Sequence, residues 1–207
     1  VAKLYPEYKD EVRKKVIAVA HEIFHEKGFK DTRVSDIAVA LGVTKPTIYH
    51  YFAGKDDLFA AVSEYERKIL EDMIFRVFQG RDFLSGAEIF FNTIITEHLE
   101  KIGPENIAIA TRDEKLRKII ADDRDQFLAI IAGFLQERKK IGEIREDADV
   151  HSLACALNAL FHGLLIYIMQ GMDKEDVKRV WIESVRAITQ PISSTVPNDT
   201  HIVPQAR

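Results

Sequence analysis

Residues 32–55, Thr32-Arg33-Val34-Ser35-Asp36-Ile37-Ala38-Val39-Ala40-Leu41-Gly42-Val43-Thr44-Lys45-Pro46-Thr47-Ile48-Tyr49-His50-Tyr51-Phe52-Ala53-Gly54-Lys55, read as two short helices joined by a tight turn. Thr32 is a hydroxyl residue placed to N-cap the first helix, and Asp36 puts negative charge near its positive end. Gly42 can take the positive φ that a sharp turn after Leu41 demands. Thr44 then caps the second helix, and Pro46 falls in its first turn, where a missing N–H costs little. Val34, Ile37, Leu41, Val43 and Ile48 form an apolar side, with Ala38 small where two helices must cross. The outer face carries Lys45, Thr47, Tyr49, His50 and Tyr51: hydrogen-bonding groups and one cation, of the kind that meet phosphates and base edges in a major groove.

From Ala20 to Phe59 the chain resembles the N-terminal domain of TetR-family transcriptional regulators. The residues that carry the resemblance are Ala20, Ile23-Phe24 and Gly28-Phe29, then Thr32, Asp36-Ile37-Ala38 and Gly42-Val43-Thr44, then Thr47-Ile48-Tyr49, Tyr51-Phe52, Lys55 and Leu58-Phe59. It implies a homodimeric DNA-binding protein, most often a repressor, whose larger domain senses a small molecule. Carried over residue by residue, Lys45 and Thr47 are expected at base edges, beside Thr44. Tyr49, His50 and Tyr51 are expected on phosphates. Lys55 is expected to offer a phosphate its charge and the free N–H groups of a helix start, and Thr32 and Arg33 to do the same one helix earlier.

Composition agrees. The chain has 207 residues, 46% of them hydrophobic and 30% charged, with a net charge of −4. Residues 1–55 hold 10 Lys+Arg against 7 Asp+Glu, a surplus of three positive charges; the remainder holds 19 against 26. A basic head on an acidic body can still bind a polyanion, because the local field decides. The single Cys155 excludes an intramolecular disulfide framework and favours a reducing, cytoplasmic setting. No membrane span is expected, the apolar runs being broken by Asn, His or Glu.

The periodicity is helical throughout, so an all-α fold is expected. Gly and Pro punctuation gives about nine helices: 6–27, two within 32–52, then 55–79, 84–102, 105–111, 114–140, 147–170 and 173–190. Three of them form a helix-turn-helix DNA-binding domain, 1–54. The others form a larger effector-binding and dimerisation domain, 55–190, and 191–207 is a polar, flexible tail. Ser152, Ala156, Ala159 and Gly163 make a seam of small side chains on one helix face. Flanked by Leu160, Ile166, Trp181, Val185 and Ile188, that seam is expected to build a homodimer through the last two helices.

The helix 84–102 is apolar on nearly every side and belongs in the middle of its domain. Around it Phe91, Ile95, Phe127, Phe134 and Phe161 are expected to line a pocket for a small apolar or aromatic effector. Asn92, His98, Asn158 or His162 would orient that ligand. A DNA-binding protein without an effector is the alternative.

His21-Glu22-Ile23-Phe24-His25 also matches the H-E-x-x-H pattern of zinc hydrolases, with Gly28 and Asp31 extending it. Two imidazoles one turn apart can hold Zn²⁺, with Asp31 as a third ligand and Glu22 activating water. Against this, Phe24, Gly28 and Phe29 are accounted for by the helix-turn-helix pattern, and no strand is available to hold a peptide. No catalytic residue, resident metal or cofactor is therefore expected.

Overall fold

The computed structural model describes residues 6–98 and 113–190. It is all-α, with eight α-helices among these residues: α1 (Pro6–Lys27), α2 (Val34–Ala40), α3 (Lys45–Tyr49), α4 (Lys55–Phe78), α5 (Phe83–Thr93), α6 (Glu114–Lys140), α7 (Val150–Met169) and α8 (Lys174–Thr189). The expected continuous helix 84–102 differs: α5 passes at Ile94 into a π-helical turn, Ile94–His98. The expectations for 105–111, the tail 191–207 and the side chain of His98 lie outside the described residues.

Local chemistry sets the helix ends. Pro6 opens α1, where its absent N–H would have had no partner anyway. Gly42, at φ +66°, turns the chain between α2 and α3, and Val43 N–H donates to Ala38 O at 2.9 Å. A side chain at Gly42 would be strained in that left-handed conformation. One expected cap moves: the residue before α2 is Arg33, not Thr32. Asp36 closes this end by accepting the Arg33 N–H at 3.0 Å. Asp82, Asp113, Asp149 and Asp173 cap α5, α6, α7 and α8 through their carboxylates.

Two apolar cores result. The smaller gathers Val16, Ala20, Ile23 and Phe24 of α1, Ile37 and Ala38 of α2, Ile48 of α3 and Leu58, Phe59 and Val62 of α4, all buried. The larger gathers Met73 and Phe78 of α4, Phe83, Ala87 and Phe91 of α5, Leu135 of α6, Leu157, Phe161 and Leu165 of α7, and Val177, Trp181 and Val185 of α8. Trp181 and Val185 therefore face inward rather than widening a dimer contact. Trp181 donates its indole N–H to Ala87 O at 2.9 Å, which fixes α8 on α5. At Gly86 any β-carbon would run into the Phe78 ring, so α5 crosses α4 only because that residue is Gly. Two helices enter both cores: α4, and α6, whose Leu116 is buried in the smaller core while Leu135 lies in the larger. Arg67 Nε donates to Asp123 at 2.9 Å between them.

Candidate nucleic-acid interface and effector cavity

α3 is five residues long and buries only Ile48 fully, which anchors it to the small core. Lys45, Tyr49 and His50 are exposed, and Thr47 and Tyr51 half-buried. The Lys45 ammonium stands 5.7 Å from the Tyr49 ring centroid, and the His50 and Tyr51 rings meet edge to face at 5.2 Å. Thr44 and Thr47 share a hydroxyl–hydroxyl bond of 2.9 Å instead of capping the backbone. Arg33 is exposed before α2. Cation, hydroxyls and rings thus share one short helix surface that can enter a groove.

Two of the expected phosphate contacts do not fit. Thr32 is 1% exposed, and its hydroxyl donates to Gly28 O at 2.7 Å, closing the end of α1 instead of facing solvent. Lys55 folds its ammonium back onto Phe29 O, Lys30 O and Thr32 O at 2.7, 3.2 and 2.9 Å, and over the Phe29 ring at 4.3 Å. Its charge neutralises the carbonyl-rich turn after α1. Both corrections have one physical origin, since a turn that ends a helix leaves acceptors unsatisfied and the nearest donors fill them.

The larger core is not solid. A cavity of about 410 Å³ lies within it, lined by α1, α4, α5, α6, α7 and α8. Phe127, Phe134, Asn158, Phe161 and His162 line it as expected. Phe91, Ile95 and Asn92 do not. Phe91 is 1% exposed and stacked on Trp181 at 6.5 Å, Ile95 is buried in the close-packed part, and Asn92 is on the exposed side of α5. The helical phase explains this, because Phe90 and Ile94 are the α5-side residues that face the space. His162 is bonded through Nδ1 to Asn158 O one turn back, at 2.8 Å.

Sequence reasoning missed the polar lining. His21, Glu22 and His25 of α1 and Tyr65 and Glu66 of α4 join the cavity wall. His25 Nε2 is 2.7 Å from Glu66 Oε1, and His21 Nε2 is 3.4 Å from the same oxygen. His21 Nδ1 lies 3.2 Å from Glu22, and its ring stands edge-on to Tyr65 at 5.5 Å. Burial holds the His21 pKa below its usual value, against the opposing pull of Glu66. The H-E-x-x-H spacing was visible, but its partner Glu66 lies 41 residues further on, where no pattern marks it.

A family model for bacterial regulatory proteins of the tetR family matches residues 16–62. The fatty acid metabolism regulator protein of Bacillus subtilis is 32% identical over 142 residues, which are 65% of this chain and 72% of that one. The chain belongs to the TetR family. The HTH-type transcriptional repressor KstR2 of Rhodococcus jostii is 27% identical over 150 residues, 67% of this chain and 70% of the relative. A crystallised TetR-family transcriptional regulator from Rhodococcus has the same fold, at a TM-score of 0.77 and 20% identity, over 87% of this chain and all of that one.

As a TetR-family protein the chain is a helix-turn-helix transcriptional regulator and not an enzyme. The hydrolase pattern lacks its third ligand too: Asp31 is exposed, and the carboxylate beside the two histidines is Glu66. Glu22 lies 3.2 Å from His21 Nδ1.

Proposed function

We propose that this TetR-family regulator is a ligand-responsive repressor, in which a homodimer grips operator DNA through α3 and a mainly apolar small molecule in the larger domain releases it. Residues 1–54 would read DNA, and 55–190 would sense and dimerise. The observation that carries the ligand reading is the cavity. Its volume of about 410 Å³ falls in the range of small-molecule sites, and its walls are chiefly Phe, Ile and Leu with a few polar groups. A relative named for fatty acid metabolism fits an effector with an extended apolar body.

Release needs a ligand that favours one arrangement of the reading helices over another, since equal affinity for both shifts nothing. α4 and α6 supply the connection, because each has one end in the reading core and another beside the cavity. The test uses straight-chain fatty acids of graded length and a set of aromatic acids, read by thermal melting and by operator binding. At least one class should raise the melting temperature and release operator. A flat response throughout the series, with operator still bound, leaves a regulator without an apolar effector.

Support for the dimer comes from α7. Ser152, Ala156 and Ala159 are exposed, Gly163 half-buried and Tyr167 53% exposed, on the face opposite the buried Leu153, Leu157, Phe161 and Leu164. Over an 18-residue window this 20-residue helix has a mean hydropathy of 1.7, long and apolar enough by composition to cross a membrane, yet only 33% of that window is buried within the chain. A second copy packed on the seam accounts for the remaining apolar face. A β-carbon at Gly163 meets nothing within 4 Å, so the backbone there leaves room for a side chain to start, and the melting curve of Gly163→Leu checks that the subunit stays folded. The variant should give monomers in sedimentation and weaken operator binding by at least about 100-fold, the scale of losing one half-site. An unaltered dimer moves the interface off α7.

A further inference from the structure

The two histidines of α1 line the cavity of the larger domain, although they share a helix with the smaller core. His21 and His25 are one turn apart with ring centroids 4.4 Å from each other, and Glu66 reaches them from α4. One donor atom from each of the three side chains falls within 4.8 Å of the others, the one such group of three among the described residues.

His21 stands between two carboxylates, with Nδ1 3.2 Å from Glu22 and Nε2 3.4 Å from Glu66 Oε1. In the tautomer that donates Nδ1–H to Glu22, the Nε2 lone pair is free for a cation shared with Glu66. A carboxylate behind the far nitrogen of a ligating histidine is also the usual means of holding such a ring in place.

Distances allow it. Zinc binds imidazole nitrogen and carboxylate oxygen at about 2.0–2.2 Å, which sets donors around a tetrahedral ion about 3.3 Å apart. The His21–Glu66 pair is already at 3.4 Å. The His25–Glu66 pair, at 2.7 Å, must open by several tenths of an ångström. Both side chains are partly exposed, at 23% and 32%, and can move that far. Two imidazoles with a single carboxylate select a transition ion over calcium or magnesium, which prefer more oxygens.

We propose that His21, His25 and Glu66 form a site for one divalent transition ion of the zinc type, oriented by Glu22 and open to the cavity at its fourth position. The site joins α1 of the reading domain to α4, the helix that runs on to the cavity. A bound ion cross-links the two elements whose relative placement sets the reading helices. It also gives the mainly apolar cavity a Lewis-acidic end, able to hold an anionic head group.

Zinc alone is the probe, so the outcome is independent of whether an apolar effector exists. Chelator-treated full-length protein is titrated with Zn²⁺ against a chromophoric competitor, and with Co²⁺ for its visible ligand-field spectrum. One Zn²⁺ per chain, a raised melting temperature and a four- or five-coordinate cobalt spectrum are expected. His25→Gln and Glu66→Gln should each weaken binding by more than about 100-fold, and Glu22→Gln, which loses only the orienting contact, by about 10- to 100-fold. The melting curve of each metal-free variant checks that it is folded. Uptake unchanged in the folded His25→Gln and Glu66→Gln proteins would place the ion elsewhere and overturn the site. Absence of stoichiometric uptake by the wild-type chain would do the same.

Discussion

The helix-turn-helix domain and the larger domain each contain a cluster of phenylalanines, and the two clusters are packed differently. In the reading domain Phe24, Phe29 and Phe59 sit with centroids 4.8–6.2 Å apart, and each is at most 7% exposed. In the larger domain Phe78, Phe83 and Phe134 keep nearly the same spacing, 4.8–6.2 Å, and all three line the cavity; Phe78 and Phe83 are buried and Phe134 is half-buried. Phe127 and Phe90 are likewise half-covered on that wall. Residue type and ring distance are therefore shared, and the difference lies in what stands on the far side of each ring. A short helix such as α3 needs a rigid support, since five residues cannot hold a conformation alone. A sensor needs an interior that something else can finish.

The contrast is broken or sharpened most strongly by removing matched side chains. Ile37 is 0% exposed beneath the turn before α3, and Ile37→Ala should cost about 2–5 kcal/mol, enough to loosen the whole reading domain. Ile131 faces the cavity, so Ile131→Ala merely enlarges a space already there and should cost no more than about 1.5 kcal/mol. Urea unfolding read separately for the two domains by hydrogen exchange measures both. Equal penalties would mean that the sensing core closes up in solution, and the effector reading would lose its main support.

That difference also explains what was legible in the sequence. Gly28, Gly42 and Pro46 act within a few residues of themselves, so the helix ends they set could be read directly. The outward residues of α3 follow from one buried Ile48 and helical phase. Thr32 and Lys55 were misplaced because their partners are carbonyls of the turn after α1, and for Lys55 these lie 23 to 26 residues away. The cavity wall failed in the same way. Phe91 and Phe90 are adjacent and equally apolar, and helical phase alone could not say which faces the cavity until α8 was placed, with its Trp181 against Phe91. Asn92 looked like an anchor because it interrupts an apolar run, yet it does so on the solvent side.

Lys55 makes a test of intermediate size. Its ammonium satisfies three carbonyl oxygens, so Lys55→Gln should lower the stability of the reading domain by about 1.5–3 kcal/mol, the range for bonds to a charged group. Operator affinity falls with it, but the salt dependence of binding by the remaining folded protein should stay as it was. A drop in the salt slope of about 0.9, with melting unchanged, would instead return Lys55 to the phosphate backbone.

The smallest effect on folding, and the most selective on function, belongs to Lys45. It is exposed at the start of α3, and its ammonium stands 5.7 Å from the Tyr49 ring centroid, a weak contact for a solvated cation. Lys45→Ala should therefore change stability by no more than about 0.5 kcal/mol. The proposed insertion of α3 into the groove puts the same side chain at base edges, where a lost contact costs about 1–3 kcal/mol at one position of the site. The expected pattern is normal melting, together with weakened binding to the preferred operator and a relaxed preference at a single base pair in each half-site. Uniform weakening across all sequences, with a reduced salt slope, would make Lys45 a phosphate contact and shift the reading of bases to Thr47 and its neighbours. Together with Lys55 the comparison separates two lysines ten positions apart: one is bonded to the turn that precedes α2, and the other is exposed on α3.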